Sequence, residues 1–138
     1  MKPERLFHLI AVLVVAMSAI SNSQSNVPTV VKADVPFEFT VGDTEFQAGA
    51  YEISLTWQGL VWVRGAQAGV KVVNSQVARA ATPSEQTKLV FHRLDGRYFL
   101  AQVWLNGRSA GRELPPTRLE RELLAKAKSQ QVDILARK

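Results

Sequence analysis

The dipeptide Asp95-Gly96 stands between two runs rich in β-branched and aromatic residues, Lys88 to Leu94 and Arg97 to Leu105. Aspartate followed by glycine tolerates the two consecutive positive φ angles of a type I′ turn, whose twist suits adjacent antiparallel strands. With these two as the loop, Leu94 lies opposite Arg97, Arg93 opposite Tyr98, His92 opposite Phe99, Phe91 opposite Leu100 and Val90 opposite Ala101. Alternation then puts Val90, His92, Phe99, Ala101, Val103 and Leu105 on one face, and Leu89, Phe91, Arg93, Tyr98, Leu100, Gln102 and Trp104 on the other. Neither face is polar, whereas a half-exposed hairpin has one wet face. A central hairpin covered on both sides is expected.

The flanking sequence supplies more strands. From Val31 to Val41 every odd position is apolar while Lys32, Asp34, Glu38 and Thr40 take even ones, the period of a half-buried strand. Pro36 places that run at a sheet edge or splits it in two. Tyr51, Ile53, Leu55 and Trp57 form a second alternating set, with Glu52, Ser54 and Thr56 facing water. Gln58-Gly59 reads as a reversal into Leu60–Arg64, and Val70–Ala78 as one further strand. Residues 79–87 lack apolar periodicity and form the longest expected loop. Asn106-Gly107 is a second turn dipeptide, leaving room for one short strand before Pro115-Pro116.

At Thr117 the period changes to 3.6. Thr117-Arg118-Leu119-Glu120 fits a capping box, and Leu119, Leu123, Leu124 and Ala127 form an apolar stripe that needs a partner surface. A helix over 117–129, packed on the hairpin's second face and supported by a Glu122–Lys126 pair, is expected. The tail, 130–138, fits helix or strand equally.

The first residues follow another logic. Lys2 and Arg5, then the apolar run from Leu9 to Ile20, then small and polar residues to Asn26, follow the order of a secretory signal peptide, placed over 1–23. That run is too short for a helical span, which needs about 20 apolar residues. Removing Lys2, Glu4 and Arg5 with the leader lowers the formal net charge from +5 to +4. A modest positive charge favours anionic surfaces, here an envelope polysaccharide or lipid surface. Scattered basic residues in an exported chain do not point to nucleic acid. Without cysteine there is neither a disulfide framework nor a thiolate metal site.

Side chains with chemistry are few. His92 is the single histidine outside the leader, which leaves no histidine metal cluster, and as the cross-strand partner of Phe99 it reads as a packed strand residue. Asp34, Glu38, Asp43, Glu45 and Glu52 could supply a glycosidase pair, but they occupy the solvent positions of strands and turns. Arg108, Arg112 and Glu113, beside Gly107 and Gly111, form the most notable polar cluster. Arginine near glycine can grip a carboxylate or phosphate bidentately; the structural reading makes Arg112 or Glu113 a clasp between the sheet and the helix start. Trp57, Trp62 and Trp104 could stack on sugars or fill the core. No catalytic residue, cofactor or metal site is assigned.

Taken in order, Val35-Pro36-Phe37-Glu38-Phe39-Thr40-Val41-Gly42 with Ala48-Gly49-Ala50-Tyr51-Glu52-Ile53, then Lys88–Arg93 ahead of Arg97–Trp104, then Gly111-Arg112-Glu113-Leu114-Pro115, the pattern resembles a group of short exported bacterial proteins of unknown function. The resemblance implies an exported β domain and carries no activity with it.

The expectation is therefore a mainly β chain: a β domain over 27–114, as a single antiparallel β-sandwich or partly closed small β-barrel of roughly six to eight strands, with one C-terminal amphipathic helix. The expected role is a non-catalytic binding or structural module of the cell envelope. A small-ligand-binding barrel for an apolar or glycan ligand is the alternative, and a carboxylate-dependent hydrolase a further one.

Overall fold

The computed structural model describes residues 27–66 and 69–138; the signal peptide read over 1–23 lies outside them. Pro36, which has no N–H to offer a ladder, divides the first alternating run. Before it, β1 (Thr29–Val35) is an edge strand of one sheet; after it, β2 (Phe39–Val41) belongs to the other. The first sheet is antiparallel in the order β1-β4-β5-β6, with β4 (Gly49–Leu55), β5 (Leu60–Gly65) and β6 (Val70–Asn74). The second runs β11-β8-β9-β10-β7, from β11 (Gln130–Leu135) and β8 (Lys88–Leu94) through β9 (Arg97–Trp104) and β10 (Ala110–Glu113) to β7 (Gln76–Arg79). There β2 joins β9 in parallel at Thr40 and Phe99, and β3 (Thr44–Phe46) pairs with β2.

The result is a mainly β, sandwich-like fold of two sheets with one short helix and no closed barrel. It holds eleven strands among the described residues, more than the six to eight expected, because some runs split. The run Val70–Ala78 is two strands in two sheets. Ser75 makes the corner: its N–H and its hydroxyl both donate to the Gly59 carbonyl, at 2.8 and 2.7 Å, so the chain leaves the first sheet there.

Asp95 and Gly96 both have positive φ, 51° and 74°, as a type I′ turn requires, and the expected pairs hold from Leu94–Arg97 to Phe91–Leu100. A bulge then intervenes, and Val90 pairs with Gln102, not Ala101. The extra residue exchanges the faces of β9 beyond it. Val103 joins Leu89, Phe91 and Leu100 between the sheets, and Trp104 joins Val90 and Ala78 on the outside, the reverse of the expected assignment. The inner layer is completed by Ala33, Val35, Phe39, Val41, Phe46, Tyr51, Ile53, Leu55, Val61 and Val63; alternation had selected all of these but Phe46, Val61 and Val63.

Outside the second sheet, the loop over residues 80–87 lines one groove together with Val90 and Trp104. Ser84 N–H donates to the Arg108 carbonyl and Gly107 N–H to the Ser84 carbonyl, each at 2.8 Å. Leu94 and Phe99, also fully buried, share this outer face by alternation, and the helix α1 (Arg118–Leu124) contacts β8. Its capping box is present: Thr117 Oγ1 accepts from Glu120 N–H at 3.1 Å while Thr117 N–H donates to Glu120 Oε1 at 3.5 Å. The helix stops well short of residue 129, and its buried face is not the leucine stripe. Leu119 and Leu124 are exposed, Leu123 is half-buried, and Glu120 is 6% exposed. A helix this short is oriented by its cap, which turns the Glu120 side chain inward. The expected Glu122–Lys126 pair is replaced by Arg118–Glu122 at 3.0 Å.

The tail is a strand. β11 pairs antiparallel with β8 from Gln130–Arg93 to Leu135–Lys88. Just beyond it, Arg137 exchanges backbone hydrogen bonds with Lys32 of β1, at 2.8 and 2.9 Å, and so closes one seam between the sheets. Among the described residues no helix is long and apolar enough to cross a membrane.

Candidate functional site

The two ends of the sandwich are finished differently. Where β9 begins, the aromatic rings of Phe37, Phe39, Phe46, Tyr51, Phe91 and Tyr98 fill the space between the sheets; Phe37 stacks on Tyr98 at 3.8 Å and meets Phe91 edge-on at 5.0 Å. The Tyr51 hydroxyl donates to the Gln47 carbonyl at 2.5 Å, and burial raises its pKa above the ordinary value. Where β9 ends, the inner layer runs out into a cleft of about 310 Å³. Val27, Thr29, Leu55, Thr56 and Trp57 line it from the first sheet; Val77, Val103, Leu105, Ala110 and Arg112 line it from the second, with Arg108 at its rim.

Arg112 is the centre of this cleft. On β10, alternation points Gly111 outward onto the Trp104 ring and Arg112 inward, between Val103 of β9 and Val77 of β7. Its guanidinium crosses to the first sheet and donates to the Thr56 carbonyl at 3.5 Å. Its other nitrogen lies 3.6 Å from the position that a side chain on Gly59 would occupy. One long bond leaves most of its five donors facing the cleft. The clasp expected between sheet and helix is therefore a contact between the two sheets, since the helix start is held by its own capping box. Glu113 points outward and is exposed, away from the cleft.

Arg108 is exposed and comes close because the turn at Asn106-Gly107, with Gly107 at φ 77°, folds the chain back towards the end of β9. Among the sequence candidates, then, Arg108 and Arg112 are brought together. His92 is not among the cleft residues: it sits half-buried in mid-sheet, paired with Phe99 and Gln131. Asp34, Glu52 and Asp43 lie on the surface in ion pairs with Arg137, Lys32 and Lys71, and Lys71 holds the Asp43 carboxyl below its ordinary pKa. Among the described residues no group of three or more His, Asp or Glu side chains is placed to hold a metal ion.

Trp57 is the residue that the periodicity concealed. Alternation placed it in the core after Leu55, but β4 ends at Leu55 and Trp57 stands in the turn, 67% exposed at the mouth of the cleft. The signal that could have found it is the following Gln58-Gly59: Gly59 takes φ 88°, so the reversal begins at Thr56 and no strand position remains for the indole. The cleft can thus offer two guanidinium groups to an anionic group and an indole face to a flat apolar one. No protein-family model, curated protein or solved structure matches this chain.

Proposed function

We propose that this protein is an exported, non-catalytic β-sandwich module that binds an anionic polysaccharide of the cell envelope in the cleft at the open end of the sandwich. The observation that carries the reading is the meeting of Arg108, Arg112 and the exposed Trp57 around one cleft. A carboxylated sugar supplies the matching pair of features, an anion for bidentate guanidinium contact and an apolar ring face for stacking. The leader-like order of the first residues and the net positive charge support an envelope location and an anionic partner.

Titration calorimetry with a polyuronate, a neutral glucan and anionic phospholipid vesicles tests this. Polyuronate binding that weakens with salt and falls at least tenfold in R112A and W57A is expected. Because Arg112 makes one long internal bond, R112A should lower stability by no more than about 1 kcal/mol, so lost binding is separable from lost folding. Binding to vesicles alone would make the ligand a lipid surface, and no binding to any of the three would overturn the reading.

A further inference from the structure

We infer that the chain forms a two-fold dimer through β6, joining two four-stranded sheets edge to edge into one of eight strands. Among the described residues β6 pairs with β5 and with no strand on its other side. A free edge is a template for another strand, and proteins that stay apart blunt such edges with proline, bulges, short length, lysine or inward-pointing charge, or a covering segment; on β6 the one such device is Lys71. The other edges show these devices. β1 is bridged by Arg137, β11 runs directly into that bridge, and β3 and β7 have three and four residues. β6 has five residues, Val-Lys-Val-Val-Asn, without proline and with an unbroken register to β5.

Its single charge is already neutralised. The Lys71 ammonium pairs with Asp43 in the β2–β3 turn, whose Gly42 packs against Lys71 and Val73. That turn covers the inward side chains, and no bridge joins it to the β6 backbone. On the outward face Val70 and Val72 are exposed, and Val72 stands directly beside the exposed Trp62 of β5. Charge also selects the partner and the register. β6 placed antiparallel to a second β6 and centred on Val72 sets Lys71 opposite Val73 of the other copy and Val70 opposite Asn74, so no like charges meet. It also extends the cross-sheet row Val30-Ser54-Trp62-Val72 across the two-fold axis into its own mirror order. Centring the pair on Lys71 would set two ammonium groups face to face.

Sedimentation equilibrium of the purified full chain tests this, with V72K and V72E as variants, because Val72 meets its own copy and its side chain faces solvent in the monomer. A mass rising to twice the chain mass with concentration is expected. Each variant alone should dimerise at least tenfold more weakly, with an unchanged circular dichroism spectrum, and an equimolar mixture of the two should regain the dimer through a Lys–Glu contact. A chain that stays monomeric at every concentration, a dimer untouched by V72K, or a mixture that remains monomeric would overturn the assignment.

Discussion

The outer faces of the two sheets contrast sharply. That of the first sheet carries Lys32, Glu52 and Arg64 in one cross-strand row and Val30, Ser54 and Trp62 in the next, all open to solvent to some degree. That of the second carries Ala78, Val90, Leu94, Phe99 and Trp104, all buried, with the 80–87 loop beside Val90 and Trp104 and the helix against β8. A sheet wet on one side writes its fold as alternation, as in β1 and β4. A sheet covered on both writes continuous apolar runs, as in β8 and β9. The hairpin's two apolar faces thus identify it as the middle of a three-layer stack, although they do not say what the third layer is.

Truncating an indole on each outer face gives the largest expected difference. Trp104 is 8% exposed and Trp62 37%. Trp104→Ala should lower unfolding stability by about 3–5 kcal/mol and Trp62→Ala by less than about 1 kcal/mol, read as denaturant midpoints at constant slope. Equal losses would mean that the second outer face is no better covered than the first. The same contrast is available with one carbon atom. A side chain on Gly111 would stand 2.8 Å from the Trp104 ring and from the Val103 carbonyl, whereas one on Gly69 meets nothing within 4 Å. Gly111→Ala should destabilise by about 1–3 kcal/mol and Gly69→Ala should be nearly neutral.

The helix provides a smaller effect with a pH signature. Thr117→Ala removes the acceptor for Glu120 N–H and should lower stability by about 1 kcal/mol. Glu120 itself is buried, and desolvation raises its pKa from the ordinary 4.5, with the Thr117 N–H opposing the rise. A carboxyl raised by folding binds more proton folded than unfolded. Its contribution is therefore full below the unfolded pKa, shrinks as pH climbs towards the folded pKa, and is gone above it. Glu120→Gln keeps the reciprocal cap and removes the titration, so its melting temperature should exceed wild type at neutral pH and converge with it in acid. A wild-type advantage at neutral pH would show the carboxylate to be stabilising. On the first sheet's open face, the Lys32–Glu52 pair at 3.5 Å is solvated on both sides. Lys32→Ala should shift stability by no more than about 0.5 kcal/mol, and a larger shift would mean that this face is not as free as its exposure implies.

How much of this was legible depended on whether the signal was local. The Asp95-Gly96 turn set the hairpin register for four pairs, and Thr117-x-x-Glu120 located the helix start, because both are short-range chemistry. The bulge at Ala101 was not legible: an extra alanine leaves no mark in a run with both parities apolar, yet it exchanged Val103 and Trp104 between faces. Pro36 announced its corner through a missing N–H, whereas Ser75 makes an equal corner through bonds to Gly59, which the sequence places in a different turn. Arg112 stood out as a candidate but its partner did not, since Thr56 approaches only after the sheets stack. The leucine stripe of the helix misled because a seven-residue helix is too short for periodicity to outweigh the cap.

The bonds between Lys32 and Arg137 also set an order of events. β1 finds β4 within a few tens of residues, so the first sheet can begin to assemble while the chain is still short. Among the described residues, the opposite side of β1 is bridged only by Arg137, which is made about a hundred residues later. Through synthesis, and through any translocation that passes the chain amino end first, the first strand therefore travels with a bare edge, in the state most open to pairing with the wrong neighbour. Its cover comes from a residue made long after it.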